Sequence, residues 1–405
     1  MAKLCIFYHF FNPDQIVSSA IFSQLGSGLA ERGWEVTAFP SNRDSGSPEK
    51  NYQAREIWHG VWIRRIWRPP WRQATASGRM LNALWMITCW AGLALRRKNV
   101  PDVILVGTDP IFGILIAPVW KFFHPETKIA HWCFDLHPEA AYADGVISRD
   151  SVLSQILTVA LKRSYLACDL VADIGECMRR MLLQYDPGIS SVTLVPWALS
   201  EPDLPLPIPQ EERNAVFGEA RLALMYSGSF GRAHDYEDML DLMRHLRGVS
   251  VKLALSVKGN REGPLRAAIG PEDANINFIP FAPANLLEQR LAIADIHIIS
   301  LRKAWTGTVV PSKFFGALAA GRPVLFCGSR DSSLAEWIER FDLGWVMEPG
   351  NAAAVAERLR FLLRDDSCLQ SMRERCFQVY RQHFSRSRTI NEWDRRLSGL
   401  STLRG

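Results

Sequence analysis

The chain has no CxxC pair, no histidine–cysteine cluster at zinc-binding spacing, and no apolar run of the roughly 20 residues that a membrane span needs. A metal site is therefore not expected. The eight cysteines, at 5, 89, 133, 168, 177, 327, 368 and 376, are scattered through mostly apolar stretches. They read as buried thiols in a reducing compartment, not as a disulfide frame. The N-terminal MAKLCIFYHFF lacks the apolar core and the small-residue cleavage site of a secretory signal. It reads as a first strand, and a cytoplasmic protein is expected. Acid is scarce in one place. Residues 55–98 hold nine Lys/Arg against the single Glu56, with six of the 14 tryptophans (58, 62, 67, 71, 85 and 90).

What is present is an α/β alternation. The 405 residues are long for one core, so two domains are the prior expectation. Hydrophobic content of 48% and charged content of 22% suit a globular chain, and a net charge of +5 favours anionic partners only weakly. The spacing predicts a strand at 3–9, a helix over 16–32 stopped by Gly33, and a strand at 35–40. Further strand signals fall at 102–107, 128–134, 169–175 and 191–197. Four prolines at 202, 205, 207 and 209 mark a linker. A second β–α cycle follows, with strands at 221–228, 251–259, 276–281, 294–301, 322–328 and 343–348. Helices are predicted at 235–246, 283–293, 312–320, 332–340 and 352–363, then a charged helical tail from 369 to about 397. The expected architecture is two doubly wound, Rossmann-like halves facing a cleft, where ligands meet the C-terminal ends of strands.

Several stretches could carry chemistry. YSGSFGRAHDYEDMLDLM, 226–243, is strand, glycine turn and helix. Gly228 and Gly231 would let backbone approach a ligand, and Arg232 could clamp phosphate; a plain βα turn with a surface arginine is the alternative. Lys258 and Gly259 end another strand in the same way. In VPSKFFGALAAGRPVL, Ser312 is predicted at the N-cap and Lys313 at the helix start, where a cation is disfavoured unless an anion binds. The alternative is a lysine stem packed on Phe314 or Phe315. HWCFDLHPEAAYADG crowds Asp135, His137 and Glu139 at a strand end, candidates for acid–base work or sugar-hydroxyl contacts. A turn histidine and a helix-start glutamate are the bland readings of the latter two. Within 55–98, Met80–Leu95 is a 16-residue apolar helix flanked by Arg79 and by Arg96, Arg97 and Lys98. Interleaved Trp and Arg suit a membrane interface with anionic headgroups. A sheet-flanking helix with its arginines in water is the alternative. No nucleic-acid module accompanies the basic residues.

Taken together, these stretches resemble the GT-B glycosyltransferases of family 4, in the branch that extends bacterial lipid-linked exopolysaccharide or O-antigen units. GLAERGWEVTAF, PDVILVGTDPIFG, HWCFDLHPEAA, LMYSGSFGRAHDYEDML and FIPFAPANLLEQRLAIADIHIISL followed by VPSKFFGALAAGRPVL carry the likeness over essentially the whole chain. It implies an N-terminal acceptor-side domain over 1–200, a nucleotide-sugar domain over 201–378, and a tail over 379–405 packing back toward the first domain. It implies a retaining transfer with no cofactor and no obligatory metal, from a UDP- or GDP-linked sugar to a polyprenyl-linked or other glycan at the inner membrane face. The donor diphosphate would meet Gly228, Gly231, Arg232, Ser312 and Lys313. Asp135 and His137 would serve the reacting sugar or the acceptor hydroxyl, with Glu139 and Lys258 nearby.

The chain departs from that pattern in three places. Thr308 and Gly316 stand where relatives carry two glutamates that touch the donor sugar and ribose. The N-terminal Gly-Gly loop is replaced by HFFNPDQIVSS, so Asn12, Ser18 and Ser19 would have to do its work. Ser229 and His234 occupy the positions of the family's Arg-x4-Lys pair, with Arg232 between them. A nucleotide-sugar epimerase of the same fold, or a non-catalytic sugar-nucleotide binder, are the competing readings.

Overall fold

A computed structural model describes residues 1–283, 286–365 and 367–402. Positions 284 and 285 of the helix expected from 283, and 403–405 of the expected tail, lie outside the described residues. The chain divides into two compact units. Unit 1 comprises Met1–Val195, Gly307–Val309 and Ser387–Gly405; unit 2 comprises Pro196–Thr306 and Val310–Arg386.

Unit 1 holds an eight-stranded sheet. Its strands are β1 (Lys3–Phe7), β2 (Glu35–Ala38), β3 (Arg55–Trp58), β4 (Val61–Arg64), β5 (Val103–Gly107), β6 (Lys128–Trp132), β7 (Leu170–Asp173) and β8 (Ser191–Thr193). Their order is β3-β4-β2-β1-β5-β6-β7-β8. Every pairing is parallel except β3 with β4. All five residues of β5 are buried, the signature of a central parallel strand covered on both faces. The Val17–Glu31 helix returns the chain from β1 to β2. The Arg386–Thr402 helix supplies Trp393, fully buried with its ring 5.2 Å from that of Trp132. The Trp34 indole donates to Asp394 at 2.8 Å in the same layer.

The Trp/Arg region folds as a hairpin and a helix. Its first part is the β3–β4 hairpin, turned at His59 and Gly60, which both take positive φ (42° and 80°). The alternation in REIWHGVWIRR and its HG turn were a legible hairpin signal, masked by the Trp and Arg content. The Ala76–Leu93 helix follows, capped by the Thr75 hydroxyl, which accepts from the Gly78 amide. Its Trp90 is fully buried and donates to the Phe39 carbonyl at 2.9 Å. Arg68 is fully buried too, its guanidinium donating to Asn82 at 2.9 Å. Trp62 and Trp67 stay exposed.

Unit 2 holds six parallel strands, each where the apolar runs place it: β9 (Leu222–Ser229), β10 (Val251–Lys258), β11 (Ile276–Phe278), β12 (Ile296–Ser300), β13 (Val324–Cys327) and β14 (Gly344–Met347). The order β11-β10-β9-β12-β13-β14 places β9 and β12 at the centre. Strand order reverses there, which in doubly wound sheets opens a crevice at the C-terminal strand ends. The Glu237–His245 and Ala352–Leu362 helices bury Met239, Leu240, Leu242 and Met243 with Val355, Ala356 and Leu359 in one core.

Candidate active site

In unit 2 the C-terminal end of β9 builds a cation site. Gly228 takes φ +127°, and a Cβ there would lie 2.8 Å from Cε of Lys313. The missing side chain is the channel through which the lysine stem passes. The Lys313 ammonium reaches Nε2 of His234 at 3.2 Å and lies 5.3 Å from the Tyr226 ring centre. His234 is buried, and its Nδ1 is 2.7 Å from the Ser300 carbonyl. A carbonyl can only accept, so Nδ1 carries the hydrogen and Nε2 presents its lone pair to the ammonium. Burial first, then the Lys313 charge, drive the His234 pKa down to about 3, so the ring stays neutral. Burial lowers Lys313 to about 8. One ammonium hydrogen is held by His234, and the remaining donors are available to an anion.

The surrounding loop is pinned by its backbone. The Phe230 amide donates to the Lys258 carbonyl at 2.9 Å, and the Arg302 amide to the Ala233 carbonyl at 2.8 Å. A Cβ on Gly259 would lie 2.3 Å from the Phe230 carbonyl oxygen, so only glycine lets these strands close. Arg232 and Lys258 are exposed on this rim. Ser312 takes the expected N-cap position before the Lys313–Ala319 helix, but in helical conformation (φ −64°, ψ −17°), and its hydroxyl makes no cap bond. The amides of Phe314 and Phe315 bond to the carbonyls of Pro311 and Ser312, so these two are not free for a ligand. A cavity of about 280 Å³ opens at the ends of β12 and β13, lined in part by Asp235, Asp238, Arg302, Lys303 and Gly328. None of these five was singled out from the sequence, because strand-end loops converge only in space. His234 had a signal, its place in the family's cationic pair.

In unit 1 the C-terminal ends of β1, β5 and β6 gather His9, Asp109, Asp135 and His137. Asp135 and His137 line one hollow with Thr108 and Phe112. Asp135 is open to solvent, yet the protein massed around it pushes its pKa up; His137 pulls it down and Asp109 adds to the rise. His9, not foreseen from sequence, is fully buried with Nδ1 3.0 Å from Asp109 Oδ1. Its Nε2 is buried without a partner among the described residues.

Three expected contacts turn inward. Ser19 is fully buried in the first helix, its hydroxyl unpartnered among the described residues. Glu139 is buried and accepts from the Tyr185 hydroxyl at 2.5 Å, a bond inside unit 1. Thr308 is buried, and its carbonyl accepts from the Leu136 amide at 2.9 Å, so it belongs with the Asp135 strand end. Ser19 was expected to replace the family's Gly-Gly loop, Thr308 stands at a family glutamate position and Glu139 lies near a strand end; each side chain is buried. Asn12 is half-buried, its amide donating to Ser23 and its carbonyl accepting from Arg65. Ser18 is half-buried beside the Tyr8 hydroxyl.

Two Rossmann-like units are the architecture of the GT-B fold. Residues 208–379 match the family model described as Glycosyl transferases group 1. The chain is 23% identical to WbjE of Pseudomonas aeruginosa, named as a glycosyltransferase, over 64% of this chain and 66% of that protein, just under two thirds of its length. It is 19% identical to WcaI of Escherichia coli (strain K12), named for colanic acid biosynthesis, over 88% of this chain and 91% of that one. Among solved structures it is similar to sucrose-phosphate synthase of Thermosynechococcus elongatus, with TM-score 0.74, 13% identity and all of both chains covered. HepE of Anabaena, solved with UDP and glucose, gives TM-score 0.68 and 10% identity over 98% of this chain and 100% of that one. The likeness to group 1 glycosyltransferases thus lies over residues 208–379, and the chain as a whole has the GT-B fold.

Proposed function

We propose that the chain is a retaining transferase that moves a sugar from a UDP- or GDP-linked donor to a polyprenyl-linked glycan during synthesis of a cell-surface polysaccharide. The observation that carries this is Lys313, an ammonium held at a strand end by a neutral histidine, with no carboxylate partner among the described residues. As the bond from sugar C1 to the diphosphate oxygen breaks, its electron pair leaves with the diphosphate. Lys313 and the neighbouring Arg232 stabilise that growing charge where it develops. The acceptor hydroxyl oxygen bonds C1, and its proton passes to Asp135, whose raised pKa makes it a better proton acceptor. His137 is assigned to orienting that acceptor. Asp235 and Asp238 in the 280 Å³ cavity are assigned to the ribose hydroxyls, in place of the glutamate that relatives use. Retention and independence from metal are carried over from the family resemblance. The UDP seen with Anabaena HepE supports a nucleotide diphosphate here.

The test is to incubate a polyprenyl-linked acceptor with a panel of nucleotide sugars and read the anomeric configuration of the product by NMR. Retained transfer lost on Lys313→Ala is the expected result. Product from donor alone would instead mark an epimerase. Nucleotide binding without transfer would mark a non-catalytic binder, a reading that Thr308 and Gly316 at the glutamate positions favour.

Peripheral attachment to the inner membrane face belongs to the same proposal. No described helix is long and apolar enough to cross a membrane. The Ala76–Leu93 helix nevertheless exposes Met80, Leu81 and Leu84. In unit 1 the Val152–Leu166 helix likewise exposes Val152, Leu153, Ile156 and Val159. Exposed apolar stripes flanked by arginine suit an anionic interface.

A further inference from the structure

In a parallel sheet the central strands are normally covered on both faces. β1 and β2 of unit 1 break that rule on one side. Leu4 and Val36 are fully buried on one face. On the other, Cys5 and Thr37, paired across the two strands, are only half-buried, and Glu35 is exposed. A cavity of about 500 Å³ opens over that face, with Leu93 and Trp120 on its walls and Phe7 and Phe39 at its apolar end. This volume lies in the range of small-molecule sites, roughly 300–1,000 Å³. Lys3 and Glu35 begin their strands and Phe7 and Arg64 end theirs, so the cavity runs along the sheet face, and none of His9, Asp109 and Asp135 lines it.

The rim is strongly of one sign. Lys3, Arg64, Arg96, Arg97 and Lys98 line the cavity against the single acid Glu35. No side-chain ion pair or hydrogen bond engages any of these five cations among the described residues. Three of them follow the Ala76–Leu93 helix, where positive charge also complements the helix dipole. That accounts for cations near the helix end. It does not account for Lys3 and Arg64, which reach the same hollow from β1 and β4, nor for the open sheet face beneath them.

We propose that this cavity seats an anionic phospholipid, its phosphate among Arg64, Arg96, Arg97 and Lys98 and its chain against Phe7, Phe39, Leu93 and Trp120. A cationic mouth over an apolar floor matches a ligand charged at one end and oily at the other. A wholly polar anion would leave the aromatic floor unused, and an uncharged lipid would leave the cations without a partner. The site shares no residue with the transfer chemistry and stands or falls independently of it. It sharpens the membrane reading by naming the lipid and the place that holds it.

The test uses the full chain and dihexanoyl phosphatidylglycerol as monomers below its critical micelle concentration. Inorganic phosphate alone and dihexanoyl phosphatidylcholine are the comparison probes. At tenfold excess over Kd, the phosphatidylglycerol is expected to raise Tm by about 3 °C, with less than about 1 °C from either comparison probe. Trp120 fluorescence should change with the same dependence on concentration. Thr37→Phe fills the cavity and leaves every cation in place; the triple variant R96A/R97A/K98A leaves the cavity and removes the charge. Loss of the shift in both supports the site. If Thr37→Phe does not fold, Cys5→Leu takes its place in the same comparison. No shift in the wild-type chain overturns the proposal. So does an equal shift with phosphate, an equal shift with phosphatidylcholine, or a shift that survives in the folded cavity-filling variant.

Discussion

The strand ends of the two units carry opposite chemistry on the same scaffold. In unit 2 the end of β9 gathers Lys313 against a histidine held neutral at a pKa of about 3, with Arg232 exposed on the adjoining rim. In unit 1 the ends of β1, β5 and β6 gather Asp109, Asp135 and two histidines, and Asp135 has its pKa pushed up. The same burial that weakens a lysine's hold on its proton strengthens a carboxylate's. The difference teaches that one fold can present a cation at its strand ends in one unit and carboxylates with histidines in the other.

Removing the centre of the cationic side should break the contrast most. Lys313→Ala is expected to lower kcat/KM by about 10²–10³-fold, as loss of a group facing developing negative charge does. A steady-state comparison of transfer rates reads it, and a wild-type rate in that variant would end the assignment. Asp135→Asn should lower turnover by about 10²-fold while leaving calorimetric affinity for the nucleotide diphosphate unchanged. An equal loss of donor affinity would move Asp135 out of the proton-handling role.

Gly228→Ala probes the geometry without touching a charge. The new Cβ would displace the Lys313 stem, and nucleotide affinity should fall by about tenfold, roughly 1.4 kcal/mol. pH gives a finer test. Burial lowers Lys313 to about 8, so its ammonium is present below that pH and lost above it. Affinity of the free enzyme for the diphosphate should therefore fall as pH rises through about 8, and Lys313→Arg should flatten the profile. The smallest expected effect is on stability: Leu84→Ser, at an exposed position, should change it by no more than about 0.5 kcal/mol. The same change should weaken binding to anionic vesicles in a flotation assay. Unchanged flotation would remove this helix from the membrane surface.

The β–α rhythm was legible because it is written locally. Each strand of unit 2 is a short apolar run bounded by polar or turn residues, and Gly228 and Lys313 stood out at its turns. Other features were hidden for identifiable reasons. The β3–β4 hairpin lay under an excess of Trp and Arg that pointed elsewhere. Ser19, Glu139 and Thr308 are polar residues brought forward by the family pattern or by a nearby strand end, and nothing local distinguishes a polar side chain facing a ligand from one turned into the core. Asp235 and Asp238 share a cavity with Lys303 and Gly328 from distant parts of the chain.

Periods of two and 3.6 residues, glycine and proline stops, and the order of strands were enough to establish a pair of doubly wound units, since backbone geometry repeats over a few residues. What holds the Lys313 ammonium was a different kind of question. Its partner is His234, 79 residues away in the chain, with a carbonyl of Ser300 that selects the imidazole tautomer. Proton affinities and open sheet faces arise from desolvation and from neighbours brought together by folding, and no local pattern encodes them.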